Sequence, residues 1–118
     1  MINKILLVAI LVMASILRIW DLNNFPSSLN WDEVSLGYNA YSLFKTGQDE
    51  WGVKLPLILR AFGDYKLPVY VYLAVVSQAL LGLTGLATKL PSVLLGTGLI
   101  VVAYALAAKL FSPRVGLI

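Results

Sequence analysis

All six acidic residues, Asp21, Asp32, Glu33, Asp49, Glu50 and Asp64, fall in one stretch, and the long apolar segments on either side carry almost no charge. A chain patterned this way has one polar region to keep in water and apolar regions that need another environment. Of its 118 residues 59% are hydrophobic and only 13% charged. A soluble domain of that size normally carries about a quarter charged residues. The expectation is an integral membrane protein whose carboxylates are held in a loop at a membrane face.

There are no cysteines and no histidines. Disulfides, thiolate metal sites, imidazole bases and Ser-His-Asp catalysis are therefore excluded within these residues. Acid-base chemistry falls to carboxylates, tyrosines or lysines. The formal charge of +3 comes without a basic cluster of the kind that tracks a phosphate backbone, so nucleic acid is not an expected partner.

Residues 5–17 are apolar but for Ser15, and Arg18, Ile19 and Trp20 extend the run to an interfacial cation and indole. This reaches bilayer length and predicts a transmembrane helix over about 4–20. No small-x-small cleavage site follows, so the segment reads as a retained signal-anchor, with Lys4 cytoplasmic and the acidic loop external. Residues 21–66 are loop-like, broken by Pro26, Ser27, Ser28, Gly47, Gly52, Pro56 and Gly63. Within them Asn30 followed by Glu33 has the spacing of a capping box. Val34, Tyr38, Tyr41 and Phe44 then recur at helical spacing until Gly47, which predicts an interfacial helix over about 33–45.

Two further apolar stretches follow, 67–86 and 90–110. Three full crossings would put Lys109 and Arg114 on the acidic side, against the positive-inside bias. The reading adopted makes 67–86 an interfacial or re-entrant helix and 90–110 a transmembrane helix. The fold class expected is thus all-α and integral to the membrane: an amino-terminal transmembrane helix, an external loop with interfacial helices, and a further transmembrane helix. A new apolar run opens after Pro113, so further helices are expected beyond Ile118.

Asp32 and Glu33 are the first candidates for chemistry. Two acids in a helix's first turn also answer its dipole, worth about 0.3–1 kcal/mol each, and that duty accounts for them equally well. The functional alternative is a general base at the water-membrane boundary, shielded by Trp31 and Tyr38. Neighbours on a helix diverge by about 100°, so the two do not read as a glycosidase-type acid and base pair. Lys66, just outside an uncharged stretch, either snorkels toward headgroups or holds the phosphate of a lipid-linked substrate. Lys89 offers a second such cation, and Tyr65 lies beside the first. Asp49-Glu50-Trp51-Gly52 and Gly63-Asp64-Tyr65 read as turns. A divalent cation is left open as a cofactor, although the separations of Asp32, Glu33, Asp49 and Asp64 match no metal-loop spacing.

The order Arg18-x-Trp20-x-Leu22, Pro26, Trp31-Asp32-Glu33, Gly37-x-x-Ala40, Gly47, Gly63-x-x-Lys66-x-Pro68-x-Tyr70, Gly82 and Leu90-Pro91-Ser92 resembles the amino-terminal part of bacterial C-type glycosyltransferases. These are relatives of protein O-mannosyltransferases and of the lipid A aminoarabinose transferase. The resemblance implies inverting transfer of a sugar from a polyprenyl-phosphate donor to a glycan, lipid or protein acceptor on the outer face of the plasma membrane. It implies that Asp32 is the catalytic aspartate of the first external loop, with Glu33 beside it. It further implies that Lys66 contacts the donor phosphate, with Lys89 as the cation before the next transmembrane helix. Where relatives have Lys-Pro-Pro, this chain has Lys66-Leu67-Pro68. The competing expectation is a non-catalytic transporter or assembly subunit whose loop acids bind a cation or a partner.

Overall fold

The computed structural model describes residues 2–22, 24 and 28–118. Pro26 and Ser27, named above as loop breakers, lie outside the described residues. Those described hold four α-helices, α1 (Ile2–Ile19), α2 (Trp31–Thr46), α3 (Pro68–Leu81) and α4 (Gly85–Leu110). Two short strands, β1 (Leu59–Ala61) and β2 (Asp64–Lys66), pair as an antiparallel hairpin. The chain divides into two compact units, one of residues 1–20 and 92–118 and one of residues 21–91.

In the second unit α2 begins as the Asn30 and Glu33 spacing predicts. The Glu33 amide donates to Asn30 Oδ1 at 2.8 Å and the Asn30 amide to Glu33 Oε2 at 3.0 Å, a closed capping box that satisfies two orphan donors. The helix ends at Gly47, whose φ of +70° is open to glycine at little cost. The turn that follows is tied back to it. Asp49 Oδ1 accepts from the amides of Trp51 and Val53 at 2.9 and 2.8 Å, and the Glu50 amide donates to Asn39 Oδ1 at 3.1 Å.

The core of this unit is small: Ala40 and Leu43 of α2, Leu59 of β1, and Val71 and Ala74 of α3. Polar groups complete the helix packing. Gln78 Nε2 donates to the Gly37 carbonyl at 2.9 Å, and a Cβ placed on Gly37 would stand 2.6 Å from Thr88 Oγ1. Small and polar residues also line the buried face of α2. Its inner face carries Ser35, Gly37, Asn39, Ala40 and Leu43, while Trp31, Val34, Tyr38 and Phe44 are exposed.

Thr84 caps α4, its Oγ1 accepting from the Ala87 amide at 3.1 Å. The helix then runs through Pro91, which has no amide to give the Ala87 carbonyl. Ser77 Oγ of α3 donates to that carbonyl instead, and Tyr70 donates its hydroxyl to the next one, Thr88, at 2.8 Å. In the first unit Gly96 lies against Arg18, where a Cβ would stand 3.1 Å from Nε. A single 3-10 turn, Val115–Leu117, folds back with Gly116 against Tyr104 and Ala108 and also touches α1.

The described residues are mostly helical, as expected, and three details differ from the expectation. A hairpin stands at 59–66: its two-residue turn, Phe62-Gly63, takes φ of +51° and +80°, the pattern whose twist suits tight antiparallel pairing. The apolar stretch 67–86 is helical only as far as Leu81, where Gly82 at φ +72° ends it. The last helix starts at Gly85 rather than 90, since the hydroxyls that cover the carbonyls around Pro91 let the proline sit inside it. Among the described residues α4, with 26 residues, is the one helix long and apolar enough to cross a membrane.

Candidate functional site

Asp32 is the second residue of α2, in the first turn at the positive end of the helix dipole. Lys66 closes β2 two residues before Pro68, which opens α3 at a position where the fixed φ suits the helix and the missing amide costs nothing. The hairpin folds over the start of α2, with Phe62 stacked on Trp31 at 5.5 Å between ring centroids. This brings the Lys66 ammonium to 3.0 Å from Asp32 Oδ1.

A second carboxylate shares the cation. Residues two apart on a strand face the same way, and Asp64 Oδ2 also stands 3.0 Å from Lys66 Nζ. Asp64 Oδ1 accepts from the Tyr65 amide at 2.7 Å. The hydrogen bond to Asp32, then that to Asp64, holds the Lys66 ammonium above its ordinary 10.5. Asp64 is held below its ordinary 3.8, chiefly by the hydrogen bond from Lys66 and next by the Tyr65 amide.

The predicted residues thus take different places. Asp32 and Lys66 are brought together, and Asp32 Oδ2 makes no hydrogen bond among the described residues, so one oxygen is anchored and the other open. Glu33 is spent on the capping box. Tyr65 lies opposite Arg60 in the hairpin with its ring exposed. Lys89 is buried and donates to the Leu22 carbonyl at 3.3 Å.

No family model, curated protein or solved structure matches this chain. An anchored carboxylate with one open oxygen, beside an ammonium, can take a proton from a hydroxyl and stabilise a neighbouring anion. Among the described residues no group of three or more acids stands where it could hold a metal ion. The reading of Asp64 as a turn residue missed its hold on Lys66; the signal was the Asp64-x-Lys66 spacing, which becomes informative only once the segment is a strand.

Proposed function

We propose that the chain is the donor-binding and catalytic-loop part of a membrane glycosyltransferase, transferring a sugar from a polyprenyl-phosphate donor to an acceptor on the outer membrane face. The observation that carries this reading is the 3.0 Å contact between Asp32 and Lys66. The open oxygen of Asp32 takes the proton of an acceptor hydroxyl as the acceptor oxygen bonds to the anomeric carbon. The bond from that carbon to the phosphate oxygen breaks, its electron pair leaving with the polyprenyl phosphate, and Lys66 stabilises the departing anion. Attack opposite the leaving group inverts the anomeric centre. Glu33 holds the first turn in place, and Tyr65, exposed beside Lys66, borders the donor.

The membrane setting has its own support. At about 1.5 Å per residue α4 reaches about 39 Å and α3 only about 21 Å, against a hydrocarbon core of about 30 Å. This favours α4 as a span and α3 as an interfacial or re-entrant element. Arg18 lies near the end of α1 and meets Gly96, while the 3-10 turn beyond α4 also touches α1. An antiparallel course of α1 and α4 accounts for both. With Lys4 cytoplasmic and α1, about 27 Å long at the same rise per residue, taken as a second span, Lys109 and Arg114 return to the cytoplasm and the acidic loop stays external, in a multi-pass protein of the plasma membrane. The exposed aromatic face of α2 suits the headgroup region, where tryptophan and tyrosine concentrate.

A second reading, a non-catalytic transporter or assembly subunit, draws on the sharing of Lys66 by two carboxylates, an arrangement that also serves as a structural clasp. Binding of polyprenyl phosphate to the full chain in lipid nanodiscs separates them. Lys66→Ala weakens binding at least tenfold if Lys66 contacts phosphate; unchanged binding in a folded variant favours the clasp.

A further inference from the structure

Asp64 has no part in the transfer described above, yet it takes as close a hold on Lys66 as Asp32 does. We infer that Asp64 is a placeholder, its Oδ2 occupying the seat on Lys66 that an anionic phosphate oxygen of the donor takes, and yielding that seat when the donor binds. The inference rests on the reading of Lys66 as the phosphate contact.

Charge is the first argument. Two carboxylates on one ammonium leave the group net negative, so a phosphate anion that merely added itself would meet repulsion from both. One carboxylate has to withdraw. Asp64 is the one better able to do so, with its side chain 71% exposed against 52% for Asp32. Water is ready to solvate it after release. It also keeps a partner, because the Tyr65 amide holds Oδ1 while only Oδ2 faces Lys66.

The geometry favours exchange over rearrangement. Lys66 is only 24% exposed, and its backbone is held between the hairpin register and the proline that opens α3. The less exposed cation is thus the fixed point of the exchange, and the anions change places around it. Asp64 sits directly after Gly63, at the mouth of the two-residue turn. Rotation of its side chain alone clears the seat, leaving the Trp31 and Phe62 stack undisturbed.

The test is equilibrium binding of polyprenyl phosphate to the full chain in nanodiscs, comparing wild type with Asp64→Asn and Asp64→Ser. Both variants keep a short oxygen acceptor for the Tyr65 amide and remove the competing charge. Loss of one nearby like charge at the surface is expected to tighten binding about three- to tenfold. Inorganic phosphate is titrated alongside. Tightening toward both ligands assigns the seat to the phosphate group itself, and tightening toward the lipid alone assigns it to the lipid-borne anion; either result supports the placeholder. Unchanged or weaker binding in both variants, with wild-type circular dichroism, overturns it. A Lys66→Ala control separates the two levels. If that variant binds poorly while the Asp64 variants bind as wild type, only the placeholder fails; if it binds as wild type, the phosphate-contact reading fails with it.

Discussion

Asp32 in the first turn of a helix and Lys66 at the end of a hairpin meet at 3.0 Å, although the chain between them passes through the whole of α2, a tied turn and both strands. Exposed ion pairs by themselves contribute little to folding. What holds this one is the hairpin, and what holds the hairpin is the Trp31 and Phe62 stack, the pairing of β1 with β2, and Leu59 buried in the core.

Phe62 is a test of that chain of support. A non-glycine residue at φ +51° costs about 1–2 kcal/mol, and an aromatic pair returns about 0.5–1.5 kcal/mol beyond its buried area. Phe62→Gly relieves the first and loses the second, so it is expected to be near neutral in thermal unfolding. Phe62→Ala loses the stack and keeps the strain, and is expected to be less stable than Phe62→Gly.

The charged triad has a defined pH window. Asp64 is depressed in the folded chain, so its contribution is present above the ordinary 3.8 and is lost as pH falls through its lower folded value. Lys66 is raised, so its contribution is complete below the ordinary 10.5 and is lost as pH rises through its higher folded value. Carboxyl and ammonium NMR shifts of these two groups are expected to be flat through neutral pH. A transition of Lys66 below 10.5 contradicts the geometry.

Gly37 carries the approach of α2 to the start of α4. Gly37→Ala places a methyl 2.6 Å from Thr88 Oγ1 and 3.1 Å from its Cγ2. Overpacking of this kind costs about 1–3 kcal/mol. Thr88→Ala removes both obstructing atoms, so the double variant is expected to lie close to Thr88→Ala alone when melting is followed in detergent.

Pro91 and Ser77 form a compensating pair. Ser77→Ala leaves the buried Ala87 carbonyl without its donor, at a cost of about 1–3 kcal/mol. Pro91→Ala restores the backbone amide that reaches the same carbonyl. Unfolding of the single and double variants is therefore expected to be non-additive, with Ser77→Ala costing less in the Pro91→Ala background.

How much of this was open to sequence reading depended on the range of the interaction. Asn30 and Glu33 are three apart and cap the same turn, Gly47 ends the helix they start, and Asp49, Gly52 and Gly63 shape turns from their own neighbours. Such contacts leave local patterns. The hairpin left almost none, since each strand is three residues long and the turn begins with Phe62, a residue that steric rules disfavour at positive φ. Without the hairpin, Asp64 and Lys66 had no common face and neither had a path to Asp32. Pro91 sits well inside α4 because the donors that replace its amide lie on another helix, which no local pattern discloses. Gly37 likewise reads as helix-weakening until Thr88 is seen beside it.

The central proposal is that Asp32 acts as the base and Lys66 as the phosphate contact, and Asp32→Asn tests it most directly in the intact protein. Donor affinity and turnover are measured on the same preparation, with polyprenyl-phosphate-linked hexoses and pentoses as donors. Loss of a general base is expected to lower kcat about 10²- to 10⁴-fold while binding of the donor stays within a few fold. Wild-type turnover by a folded Asp32→Asn protein would contradict the account.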